Sequence, residues 1–243
     1  MKRVVIFGAT SSIAQASARI WAKEHAAFVL CGRELERLNT VAADLRALGA
    51  AEVDVVSFDG GDSANCSGAV SKSLGKGCDV ALLAHGVLTD QERARSDVAY
   101  LVETITINFV SYAIIAEALA AHLERKKTGS LVLIGSVAGD RGRASNYLYG
   151  SAKAGVAALA SGLRGRLSKV GVDVITVKPG FVDTPMTAHL KKGLLFASSD
   201  VVGKAICDAV ADRRQIVYTP WFWRWIMGIL AHVPERLFHR LPI

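Results

Sequence analysis

Val4-Val5-Ile6-Phe7-Gly8-Ala9-Thr10-Ser11-Ser12-Ile13-Ala14 opens the chain with a short apolar strand, a glycine that ends it, and a loop of small residues. The loop runs into a helix carrying Ile13, Ser17, Ile20 and Trp21 along one side, the spacing of an amphipathic α-helix. A helix that starts directly behind a buried strand presents unbonded N–H groups and the positive end of its dipole. In a doubly wound sheet, a dinucleotide pyrophosphate binds at that point. Gly8 permits the tight turn. Ser12 and Ala14 stand where the usual fingerprint has two further glycines. Alanine suits the last position, where the constraint is helix–strand packing. Ser12 places a Cβ beside the pyrophosphate and offers its hydroxyl in return. Thr10 and Ser11 add donors, and Ile13 completes the loop. Small residues after a strand can also form a plain turn; this loop stands out because it heads a β-α-β unit.

Strand and helix signals alternate through the rest of the chain. Apolar runs at 28–31, 53–58, 80–84, 131–134, 172–177 and 215–218 read as strands. Helical patterns cover 35–48, 98–125, a stretch from Tyr149 onward, and 200–213. This order predicts an α/β fold: a Rossmann-type doubly wound parallel sheet of about seven strands with helices on both faces. No repeat or low-complexity linker divides the chain. Residues 1–219 are expected to form one dinucleotide-binding catalytic domain, with 220–243 as an apolar helical appendage.

The 243 residues are 51% hydrophobic and 21% charged, which suits one large core and argues against disorder. Cys31, Cys66, Cys78 and Cys207 show no C-x-x-C spacing and the six histidines do not cluster, so neither a disulfide framework nor a metal is expected. No signal peptide is read before the first strand, and no apolar run is read as reaching the ~18–20 residues a bilayer span needs. The expected location is the cytoplasm. Net charge is +7. Residues 213–243 hold five arginines against one glutamate, and three of the four tryptophans. A charge gathered at one end is not a nucleic-acid footprint, so no nucleic-acid partner is expected.

The second strand ends Cys31-Gly32-Arg33. An acidic residue there would bind the adenosine ribose diol of NAD. Arg33 instead offers a fork for a 2′-phosphate, so NADPH is the expected cofactor over NADH. The plainer alternative is a surface arginine that starts a helix.

The chemistry lies further on. Leu131-Val132-Leu133-Ile134-Gly135-Ser136 is a buried strand ending in a serine, and Tyr149-Gly150-Ser151-Ala152-Lys153 opens a helix thirteen residues after that serine. Positions i and i+4 share a helix face, so the phenol and ammonium can reach one pocket. An ammonium beside a phenol favours the phenolate and lowers its pKa, which suits proton transfer to a carbonyl oxygen.

Together these features resemble the short-chain dehydrogenase/reductase family over residues 1–200. The resemblance implies a catalytic set of Asn108, Ser136, Tyr149 and Lys153, with Asn108 (in Thr106-Ile107-Asn108-Phe109) holding a water that relays protons to the lysine. It implies cofactor contacts from Gly8, Thr10, Ser11, Ser12, Ile13, Arg33, Asp59, Gly86, Tyr149 and Lys153. Pro179, Gly180, Val182 and Thr184 in Pro179-Gly180-Phe181-Val182-Asp183-Thr184 would close over the nicotinamide. Leu83-Ala84-His85-Gly86 fills the slot of the family's N-N-A-G segment, and only Gly86 matches literally. A narrower resemblance is to the reductases of decaprenylphosphoryl-2-keto-pentose, a lipid-linked sugar. It rests on Gly139-Asp140-Arg141-Gly142-Arg143, Tyr147-Leu148-Tyr149-Gly150, Met186-Thr187-Ala188-His189-Leu190-Lys191 and Arg240-Leu241-Pro242-Ile243.

The implied activity is hydride transfer between NADPH and a ketone, either small or lipid-linked, in a homo-oligomer. Reduction of a 3-oxoacyl group or small ketone, a cofactor-binding scaffold without turnover, and a membrane-associated interaction protein remain alternatives. Thr219 and Pro220 read as the N-cap and first turn of a Trp-rich helix. Residues 220–241 are expected either to pack on protein or to contact the inner face of the membrane peripherally. Arg141, Arg143, His189, Lys191 and Lys192 are candidates to meet a substrate phosphate, or else are solvated charges.

Overall fold

The computed structural model describes residues 1–188 and 191–240. Seven parallel strands form the main sheet: β1 (Arg3–Phe7), β2 (Ala27–Gly32), β3 (Glu52–Ser57), β4 (Val80–Leu83), β5 (Gly129–Ile134), β6 (Val172–Pro179) and β9 (Ile216–Thr219). Their order is β3-β2-β1-β4-β5-β6-β9. The direction of winding reverses between β1 and β4, so a crevice opens at their carboxyl ends, the place where such sheets bind ligands.

Along the central strands side chains alternate and are buried on both faces, while the edge strands β3 and β9 are buried only in part. Val4 and Ile6 of β1 join a core built with α1 (Ser12–Lys23), α2 (Leu35–Ala47) and α8 (Ser199–Ala211). Val5 and Phe7 point to the opposite core, built with α3 (Ser63–Ser73), α6 (Ser111–Lys126) and α7 (Tyr147–Leu167). Both faces are covered, which is why the strands read as unbroken apolar runs.

Three features depart from the sequence expectation. The helix expected at 98–125 is α5 (Val98–Ile105), a π-helical turn (Thr106–Val110) and α6 in continuous succession. By length and composition Val98–Lys126 is apolar enough to cross a membrane, contrary to the expectation that no such run exists. Tyr112, Ile115, Ala116, Leu119, Ala120 and Leu123 of this helix are fully buried in the core, while Val98, Val102 and Val110 are exposed. Helix α3 is not expected from the sequence, because Ser-Ala-Asn-Cys-Ser-Gly-Ala-Val-Ser-Lys-Ser has little periodicity; Asp62 starts it by accepting from the N–H groups of Ala64 and Asn65. Thr219 and Pro220 do not start the last long helix. Thr219 is the buried final residue of β9, and α9 runs Trp223–His232, followed by α10 (Glu235–Phe238). A small sheet of β7 (Phe181–Asp183) and β8 (Phe196–Ser198) and a short helix α4 (Gln91–Ser96) complete the structure.

Candidate active site

The sheet delivers Ser136 two residues beyond β5, and a tight loop folds it onto α7. At Gly139 a Cβ would lie 2.7 Å from the Ala154 amide nitrogen and the Lys153 carbonyl carbon, so only glycine lets the loop approach this closely. The result brings the Ser136 hydroxyl into hydrogen-bonding reach of Tyr149. Lys153, 3% exposed, donates from Nζ to the Ile134 carbonyl at 3.0 Å. Its ammonium lies 4.7 Å from the centre of the Tyr112 ring and 5.8 Å from that of Tyr149.

The electrostatics differ from the sequence expectation. Burial pushes the Tyr149 phenol up to about 12, with the Ser136 hydrogen bond pulling the other way. Burial also pulls Lys153 down to about 7. Desolvation opposes charge on both groups, and it outweighs the attraction that the i, i+4 spacing suggests. Lys153 turns toward the Ile134 carbonyl and the Tyr112 face.

Asn108 sits in the π-helical turn and is fully buried. Its Nδ2 donates to the Val87 carbonyl at 2.9 Å and its Oδ1 accepts from the Val87 N–H at 3.0 Å. This clamp fixes the loop after β4. A Cβ at Gly86, where φ is 152°, would lie 2.8 Å from Asn108 Oδ1 and 3.8 Å from Lys153 Nζ. Asn108, Gly86 and Lys153 therefore converge on one spot.

The crevice at the sheet's reversal fits a dinucleotide. Gly8 has φ 81°, and a Cβ there would sit 2.4 Å from the His85 nitrogen; the loops after β1 and β4 touch. Ser11 makes no side-chain cap on α1, so the first-turn N–H groups around Ser12 and Ile13 are left for a ligand. Thr10 flanks them, half-buried. Arg33 is exposed just past β2. Asp59, exposed after β3, accepts from the Gly61 N–H at 2.9 Å. Pro179 ends β6, Gly180 follows, Val182 is buried in β7, and the Thr184 N–H donates to Thr187 Oγ1 at 3.3 Å.

His85, the departure from the family segment, is a packing group. Its Nε2 pairs with Ser111 Oγ at 2.8 Å, and its ring lies 4.3 Å from that of Tyr112 and 5.1 Å from that of Phe58. The single Tyr112 O–H is shared between the His85 carbonyl at 2.8 Å and the Leu83 carbonyl at 3.1 Å. Tyr112 carries no motif of its own in the sequence; its one signal is that it stands four residues after Asn108 on the continuous helix.

Burial, helped by Lys153, lowers the His85 pKa from 6.5 to about 3. The folded protein thus resists a proton that the unfolded chain accepts. Stability attributable to His85 is complete above pH 6.5 and falls as pH drops from there toward 3. Between pH 7 and 4 the loss is on the order of 3 kcal/mol. Urea midpoints at both pH values should drop further for wild type than for His85→Asn; equal drops would remove this role.

The remaining basic candidates separate. Arg141 donates to the carbonyls of Ala231 at 3.2 Å and Val233 at 3.1 Å, pairs with Glu235 at 3.1 Å, and lies 4.4 Å from the centre of the Phe238 ring. It clasps the end of α9 rather than facing substrate. Lys192 pairs with Asp183 at 2.7 Å, and Lys191 is exposed. His189 lies outside the described residues, as do Leu190 and 241–243. Arg143 Nε is buried with no hydrogen-bond partner among the described residues, and burial lowers its pKa. The tail itself reaches the site: Trp223 and Met227 of α9 pack with Val137, the residue after Ser136.

Comparison with known proteins shows the family and the fold. The family model for short chain dehydrogenases matches residues 2–194. An oxidoreductase of Mycobacterium tuberculosis is 36% identical over 241 residues, covering 98% of this chain and 96% of the relative. One from Streptomyces coelicolor is 32% identical over 244 residues, covering 100% and 96%. Among solved structures, a short-chain dehydrogenase from Sphingobium yanoikuyae in complex with NADPH superposes with a TM-score of 0.83 at 24% identity, covering 97% of both chains. A bulky-bulky ketone specific alcohol dehydrogenase from Comamonas testosteroni also gives 0.83, at 20% identity, covering 97% and 96%.

Proposed function

The chain belongs to the short-chain dehydrogenase family, and from that membership we propose that it is an NADPH-dependent ketone reductase. One observation carries this reading. Ser136, Tyr149, Lys153 and Asn108 meet beside a crevice whose helix N-terminus is uncapped. NADPH held in that crevice would supply the hydride, so that ketone, NADPH and a proton would give secondary alcohol and NADP⁺. Tyr149 holds the proton that goes to the carbonyl oxygen, and a phenol raised by burial is fully protonated at neutral pH. Ser136 donates to the same oxygen as charge develops. Lys153 orients the nicotinamide-side ribose, and Asn108 keeps the β4 loop and a relay water in place. Gly8, Thr10, Ser11, Ser12 and Ile13 take the pyrophosphate, Arg33 the 2′-phosphate and Asp59 the adenine. Gly86, Pro179, Gly180, Val182 and Thr184 border the nicotinamide. Residues 1–219 act as the catalytic body and 220–243 as its appendage. NADPH oxidation with a ketone panel tests the reading; no ketone-dependent oxidation from a panel that includes polyprenyl-phosphate keto sugars would sink it.

Within this class we favour a phosphate-bearing, lipid-linked keto sugar over a small ketone or 3-oxoacyl group. Arg143 supports this preference. It is a half-buried guanidinium between Ser136 and Tyr149 in sequence, with an unpartnered Nε, and such a group suits a phosphate. The tail adds a surface. Trp221, Trp225 and Ile229 recur every four residues and are 72%, 68% and 70% exposed, and Arg224, Arg236 and Arg240 of the same C-terminal segment are exposed too. We read this stripe as a peripheral contact with anionic lipid. Anionic liposomes should pull down the protein at low salt and shift its tryptophan emission to the blue, with binding weakened by salt. A dimer that covers Trp221 and Trp225 in solution, with no liposome binding, would replace this by an oligomer contact.

A further inference from the structure

Lys153 carries its charge where little around it is negative. It is 3% exposed, and its Nζ donates one hydrogen bond among the described residues, to the Ile134 carbonyl at 3.0 Å. Burial alone pulls it down to about 7, with no carboxylate among the described residues holding it up. A buried ammonium without a counter-ion gives up its proton readily.

The face of Tyr112 stands where a counter-charge would. Nζ lies over that ring, 4.7 Å from its centre, against 5.8 Å for the ring of Tyr149. The face of an aromatic ring carries the negative part of its quadrupole, and a cation within ~6 Å is attracted more strongly where water is excluded. The Tyr112 ring is fully buried and is fixed from several sides. Its O–H is shared by the Leu83 and His85 carbonyls, and the His85 ring lies against it at 4.3 Å with a 31° tilt. Leu83 ends β4, so β4 and α6 together set where the face points. Asn108, four residues earlier on the continuous helix, clamps Val87 of the same loop. One stretch of helix therefore carries both the clamp on the β4 loop and the face presented to Lys153.

The other titratable groups that face Lys153 keep their charge near neutral pH. Burial lowers His85, in the loop after β4, to about 3 and raises Tyr149, on α7, to about 12. Burial also raises Tyr112 itself. The proton on Lys153 is then the one that this group gains or loses near neutral pH.

We propose that Tyr112 is a positioning residue for the reaction: its ring face holds the Lys153 ammonium in place beside the Ile134 carbonyl and Tyr149. The consequence for turnover rests on the ketone-reductase reading. An ammonium has three donors; one goes to Ile134, and the retained charge leaves two for the ribose hydroxyls of the cofactor.

The test weakens the face without changing the shape. Tyr112→Phe keeps the ring, and 3,4,5-trifluorophenylalanine at position 112 keeps its size while the fluorines drain the negative face. The Lys153 titration is read directly from its ¹³Cε signal in lysine-labelled protein, assigned with Lys153→Met. The trifluoro protein should titrate about one pH unit below Tyr112→Phe, and Tyr112→Phe should stay close to wild type. The alkaline limb of kcat/KM for ketone reduction should move down by the same amount, because the ammonium is lost at lower pH. Should Tyr112→Phe fail to fold, 3-fluorotyrosine at position 112 keeps the hydroxyl and should lower the titration in the same direction against wild type. Equal titration of the trifluoro and phenylalanine proteins overturns the proposal and leaves Tyr112 as packing. A full shift already present in Tyr112→Phe, with none added by fluorine, also overturns it, since the hydroxyl would then be the cause. A wild type that oxidises NADPH with no ketone overturns the reductase reading instead, and the Lys153 titration still decides on Tyr112.

Discussion

Tyr149→Phe should remove nearly all ketone reduction while NADPH still binds. The substitution deletes one oxygen from a side chain packed beside Ser136 and Lys153 and leaves the ring in place. The fold should therefore survive, and the loss should fall on the chemical step. General acid groups of this kind contribute ~10²–10⁴-fold, so kcat should drop by about that factor. NADPH affinity, read from quenching of tryptophan emission or from calorimetry, should stay within a few-fold of wild type. A variant with near-normal turnover would remove Tyr149 from the proton-donor role. Loss of cofactor affinity along with turnover would mean that the phenol acts mainly in binding.

The second large effect concerns the cofactor. Arg33 is exposed just past β2, directly after the buried Gly32. If it holds the 2′-phosphate, Arg33→Ala should weaken NADPH by ~10–100-fold, the size of a lost charge-assisted pair, and leave NADH almost unchanged. Dissociation constants for both cofactors in both proteins measure this directly. A wild type that prefers NADH, or a variant that keeps the wild-type preference, would show that Arg33 is an ordinary surface residue.

The element order and the candidate site were legible for different reasons. Val4–Ala14 and the later strands read clearly because a sheet covered on both faces demands continuous apolar runs, and these survive in the sequence without reference to partners. Tyr149 and Lys153 were legible because one helical turn brings them together whatever the helix packs against. Helix α3 was illegible because its burial rests on Cys66, Ala69, Val70 and Ser73, small residues with little contrast. The role of Asn108 in the π-helical turn has no local signature, since its partner is Val87, twenty-one residues away. Thr219 and Pro220 looked like a helix start on composition, yet pairing with β6 keeps Thr219 in the sheet.

By itself the sequence determined the doubly wound architecture and singled out the candidate phosphate loop and the candidate Ser136–Tyr149–Lys153 group. These depend on periodicity and on spacings of a few residues. Only the tertiary structure decided the direction of the Tyr149 and Lys153 pKa shifts, the employment of Arg141 as a clasp on the tail, and the position of Trp223 against Gly180 and Val137. Desolvation and close packing sum over atoms from segments far apart in the chain. No local window contains those atoms, so their balance appears only once the chain has folded.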